Sequence, residues 1–135
     1  MNAENEAEMT SLLERLHGYQ HADLPARFRE LAHSMIIPAL EEVAVHVRDA
    51  GHPCTVESHV DEPMPATGQA VYLNFDTRYE PGENSLCIRL VPGESVIRIE
   101  TPGAGAVRAQ LVPMSEFAEG NVHRVAIEFL KRATQ

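Results

Sequence analysis

The chain reads as an α+β domain: a five-stranded, mostly antiparallel meander with a kinked N-terminal helix on one face and a C-terminal helix. Three observations predict this. Runs of alternating apolar and polar residues, Gln69–Asp76, Ser85–Val91, Ser95–Thr101 and Val107–Val112, are separated by Pro81-Gly82, Pro92-Gly93 and Pro102-Gly103. Proline presets φ at the first central turn position and glycine supplies the positive φ that a type II turn needs next. Apolar residues recur at helical spacing before and after this block, which places helices on both sides of one run of strands.

Taken in order, residues 4–17 form a first helix. Met9, Leu12, Leu13 and Leu16 make its stripe, and Glu4, Glu6 and Glu8 sit where the helix dipole favours negative charge. Gly18 is its candidate C-cap. Asp23 caps a second helix, with Pro25 in its first turn, running to about Ala50 and ending at Gly51. Pro38 lies in its middle and predicts a kink or break, because proline lacks the amide donor and disfavours helical geometry in the residue before it. Ile36, Ile37, Leu40 and Val45 widen the apolar surface beyond one stripe, so this helix needs cover on more than one side.

Pro53–Asp61 supplies a fifth strand, followed by the loop Glu62–Gly68. Alternation predicts an apolar face with Val56, Val71, Leu73, Leu86, Ile88, Ile97, Ile99, Ala109 and Leu111. The polar face carries Glu57, His59, Tyr72, Asn74, Asp76, Arg89, Arg98, Glu100, Arg108 and Gln110. A last helix, capped by Ser115, runs over 116–133 with Ala118, Val122, Val125, Ala126, Phe129 and Leu130 as its stripe, or begins at Asn121 after a loose turn, since Gly120 is costly inside a helix.

The 135 residues suit a single domain, 1–135, with residues 1–20 as a peripheral helix. The apolar fraction of 44% is that of a globular chain, and the core must be aliphatic because tryptophan is absent. The net charge of −9 and the lack of a basic stripe argue against nucleic acid. No apolar run approaches the ~20 residues of a membrane span, and the acidic start is unlike a signal peptide. Two cysteines, Cys54 and Cys87, make no disulfide framework. The expected setting is cytoplasmic, with both thiols reduced and no membrane partner.

No motif specifies a chemistry. His46, His52, Cys54, His59 and Asp61 are ligand types, but their spacing matches no zinc pattern, so no metal is expected. Cys87 points to the polar face without a neighbouring base in sequence, so no nucleophile is expected. Gly103-Ala104-Gly105 lacks the helix and lysine of a phosphate loop. Glu41-Glu42 are adjacent on a helix and form no dyad. These readings leave no catalytic residue and no cofactor.

The speculative ligand-binding set is Arg89, Arg98 and Arg108 on three strands, with His59 and Asp61. Guanidinium forks suit a small organic acid, which makes a small-molecule binding protein, or an enzyme with Arg89 or Arg98 orienting the acid and His59 as base, an alternative; cross-strand charge pairing explains the same residues without a ligand. The favoured function is a non-catalytic protein- or peptide-binding module, docking through the kinked helix and a sheet edge. A homodimer is expected from the surplus apolar helix surface. The layout of a helix, an antiparallel sheet and a closing helix in a small acidic chain resembles that of type III secretion chaperones, which makes a chaperone-like factor an alternative. The strand run departs from their pattern, in which a helix interrupts the sheet.

Overall fold

The computed structural model describes residues 2–61, 68–75, 84–103 and 106–134, without the side chains of 14–23, 103 and 106. Its elements are α1 (Ala3–Leu31), a π-helical turn (Ala32–Ile36), α2 (Ile37–Asp49), β1 (Cys54–His59), β2 (Ala70–Phe75), β3 (Ser85–Leu90), β4 (Val96–Gly103), β5 (Ala106–Pro113), a 3-10 turn (Met114–Glu116) and α3 (Glu119–Ala133). The five strands pair in the order β1-β2-β3-β4-β5, each antiparallel to the next. This is the predicted α+β meander.

The N-terminal helices depart from expectation in their boundaries. There is no stop at Gly18 and no new start at Asp23: α1, the π-turn and α2 are contiguous from Ala3 to Asp49. Asn2 caps the start, its side chain accepting from the Asn5 amide at 2.8 Å. Pro25 lies inside α1. The effect of Pro38 is absorbed locally: the Ile37 amide donates to the Ala32 carbonyl, five residues back, so the wider turn falls just before the proline. Gly51, with φ of 94°, then ends α2 as predicted; its amide reaches Arg48 O and that of His52 reaches Val47 O.

One face of the sheet is covered. Phe28, Ile36 and Leu40 from the long helix and Val122, Ala126 and Phe129 from α3 pack in one cluster with Val71, Leu73, Leu86, Ile88 and Ile97. Gln69 is buried among them, donating to Pro25 O at 3.1 Å and Val60 O at 3.0 Å, and so ties α1 to the end of β1. The described core begins at Leu24; earlier in α1, Met9, Leu12 and Leu13 are 43%, 43% and 57% exposed.

Two strand details correct the sequence reading. Pro102 and Gly103 are not turn residues but the end of β4, paired with Val107 and Ala106. This pairing sets the β5 register so that Gln110 lies opposite Ile99 and Leu111 opposite Arg98. Arg108, Gln110 and Val112 therefore face the helices, while Val107, Ala109 and Leu111 face outward, the reverse of the expected assignment. Pro92-Gly93 does form its type II turn: the Glu94 amide donates to Val91 O, and Gly93 has φ of 77°. α3 starts at Glu119 rather than after Ser115, which lies in the 3-10 turn. Asp76, the Pro81-Gly82 turn and most of the Glu62–Gly68 loop lie outside the described residues, as do Ala104 and Gly105.

Candidate functional site

The face of the sheet turned away from the helices holds much of the polar cluster the sequence singled out. β-strand register sets Tyr72, Cys87 and Glu100 in one row and His59, Ala70, Arg89 and Arg98 in the next. Arg89 and Arg98 are direct cross-strand partners, an arrangement of like charges that is unfavourable by itself. Glu100 resolves it, with one carboxylate oxygen 3.3 Å from Arg89 Nε and 2.8 Å from Arg98 Nε. The Arg89 contact is an ion pair by distance but is not aligned as a hydrogen bond, so Arg89 Nε has no hydrogen-bond partner. The two guanidiniums thus spend much of their charge on a protein carboxylate.

Cys87 is buried on this face, under its neighbours. Burial pushes its thiol up, and the adjacent Arg89 offsets this only in part. Tyr72 is pushed up by burial and then by Cys87. Neither is an activated nucleophile, since the reactive thiolate needs a lowered value. His59 lies edge-on to Tyr72, with ring centroids 5.9 Å apart, and its Nε2 is 3.5 Å from Glu57.

Asp61 and Arg108 lie elsewhere. β1 ends at His59, Val60 turns into the core, and Asp61 meets the long helix. There it accepts from His33 Nε2 at 2.9 Å and lies 3.7 Å from Arg29 Nε. Arg108 lines a cleft of about 120 Å³ on the helix side of the sheet, with Gln110, Glu128 and Arg132. The structure therefore brings together Arg89, Arg98 and His59 on one face, and sends Asp61 and Arg108 to two other places.

A larger, mostly apolar cavity of about 380 Å³ opens between the ends of α2 and α3, lined by Val47, Phe75, Ile127 and Leu130 with His46, His52 and Lys131. Cys54 is on the helix side, fully covered; burial raises its thiol too. A second polar group, missed by sequence reading, lies where α2 meets α3: Glu42, Glu119 and His123. The signal available for it was the four-residue spacing of Glu119 and His123 on one helix. Its partner Glu42 is far away in sequence, and only packing brings it near.

No family model matches the chain, and no curated protein or solved structure matches it significantly. Among the described residues no helix interrupts the run of five strands, as the sequence suggested in contrast to the chaperone pattern. Among the described residues no helix is long and apolar enough to cross a membrane.

Proposed function

We propose that this protein is a non-catalytic binding module that captures a protein helix through its N-terminal arm, and that its first partner is a second copy of the same chain. The observation that carries this is the exposed stripe Met9, Leu12 and Leu13 on a helix that continues into the folded body. An isolated helix is marginal in water, and an apolar stripe at three- and four-residue spacing is stabilised when another helix covers it. Leu16 continues the same spacing in sequence. Antiparallel pairing about Leu12 sets the acidic first turns, with Glu4, Glu6 and Glu8, beside the turn that carries Arg15 and His17 in sequence. The absence of catalysis is supported by Arg89 and Arg98 sharing Glu100, and by both thiols being held in the neutral form.

Sedimentation velocity at high micromolar concentration tests this. The unaltered chain is expected to sediment as a dimer. Leu12→Asp combined with Leu13→Asp should give a monomer that keeps the unfolding transition of the body, because both residues lie outside the core. A chain that stays monomeric throughout, or a variant that stays dimeric, overturns the self-pairing. A second reading, capture of a small organic acid, draws on Arg108 and Arg132, which make no ion pair among the described residues at their cleft. A monomer that is thermally stabilised by such an acid would favour that reading instead.

A further inference from the structure

We propose that Glu42, Glu119 and His123 form a binding site for a divalent first-row transition-metal ion of the Zn²⁺ type, which clamps α2 to α3. Glu119 and His123 are one turn apart on α3 and so share a face; Glu42 comes from α2, which packs against it. One ligand atom from each residue lies within 4.8 Å of the other two. His123 Nε2 is 3.3 Å from Glu42 Oε2 and 4.0 Å from Glu119 Oε1. A tetrahedral ion with bonds of about 2.0–2.1 Å holds its ligand atoms roughly 3.4 Å apart. The first pair already meets that spacing. The second needs a small rotation of Glu119, whose side chain is 67% exposed and free to make it.

The direction of approach points the same way. His123 Nε2 is shielded from solvent, yet neither carboxylate is aligned to hydrogen-bond with it. A hydrogen-bond acceptor sits on the axis of the ring nitrogen; a second ligand of a shared cation sits off that axis, with the cation between. Chemistry selects the ion. One imidazole and two carboxylates suit borderline transition ions, whereas Mg²⁺ and Ca²⁺ prefer oxygen alone. The two carboxylates also neutralise a divalent charge. Three protein ligands leave one position of a tetrahedron for water or another donor. The competing arrangement is a plain ion pair, with a proton on His123 offsetting the repulsion of the two glutamates.

Calorimetric titration of the chelator-stripped, full-length protein with ZnCl₂ separates these. One Zn²⁺ per chain is expected, with a higher thermal midpoint in its presence and no such effect from Mg²⁺ at the same concentration. Glu42→Gln and Glu119→Gln, both at exposed side chains, should each weaken binding about tenfold or more. His123→Gln should remove the one-to-one site. If that variant does not fold, the two glutamate variants decide. Absence of saturable binding overturns the site, and so does binding that is unchanged in both glutamate variants, because the chain's other histidines would then be holding the ion.

Discussion

At the scale of the residue, the two faces of one sheet have different energetics. Leu73 is fully buried under the helices, whereas Arg98 is half-exposed on the open face. Leu73→Ala is expected to cost about 2–5 kcal/mol, since it leaves a cavity in a core that is not purely aliphatic, as expected, but also holds Phe28, Phe75, Phe117 and Phe129. Arg98→Ala should cost under about 1 kcal/mol, because Glu100 keeps Arg89 as a partner and water replaces the lost guanidinium. Chemical denaturation of the two variants checks the contrast; a large loss for Arg98→Ala would mean that something covers the face. The thiols give a pH dependence whose sign follows from burial. Cys54 and Cys87 are both raised above the ordinary value of 9.0. Their contribution is fully present below that value. It is lost as pH rises, because the unfolded chain releases both protons first. Stability should therefore fall as pH rises above about 9, and the double variant Cys54→Ala, Cys87→Ser should flatten that fall.

At the scale of the element, α3 contains a correctable weakness. Gly120 lies in its first turn with ordinary backbone geometry, and a Cβ there would meet nothing within 4 Å. Gly120→Ala should stabilise the protein by roughly 0.5–1 kcal/mol, read as a higher thermal midpoint, because alanine loses less chain entropy in a helix. The same gain would not follow at Gly93, whose φ of 77° an alanine resists. The elements also explain where sequence reading slipped. Alternation in β5 fits either face, since both Val107-Ala109-Leu111 and its complement contain an apolar residue at the right place. The short β4–β5 connection fixes the register, and Val112 opposite Ile97 satisfies the core with a single residue. Along the long helix, Gly18 and Pro25 looked like boundaries because each is costly inside a helix, but helical backbone continues across both. The expected response to Pro38 was legible; that it takes the form of a π-turn was not.

On the scale of the whole molecule, a single covered sheet face divides the protein into two parts. The body holds the described apolar core, which begins at Leu24, with α2 and α3 on the same side of the meander. In the arm Met9, Leu12 and Leu13 are exposed. That division is why the arm carries the proposed association and the α2–α3 contact carries the proposed metal site. The arm and the α2–α3 contact are different surfaces, so loss of association would leave metal binding intact.

Sequence by itself determined the class and order of elements, the antiparallel meander and the residues that fill most of its core. Those properties depend on local signals: a period of two in the strands, a period near three and a half in the helices, and turn chemistry such as Pro92-Gly93. It also placed Arg89, Arg98 and His59 on one face, because β1, β3 and β4 keep their alternation. Tertiary structure alone decided what lies across from what. Glu100 between two facing arginines is a matter of strand register, Asp61 against His33 of where β1 ends, and Glu42 beside His123 of how two helices pack. Each joins residues that are distant in the chain, and no local pattern encodes the distance between them. The contrast between Met9, Leu12 and Leu13, which are exposed, and Leu24, Phe28 and Ala32, which are buried on the same helical run, has the same origin: each set shows apolar residues at helical spacing, and only tertiary packing decides which of them is covered.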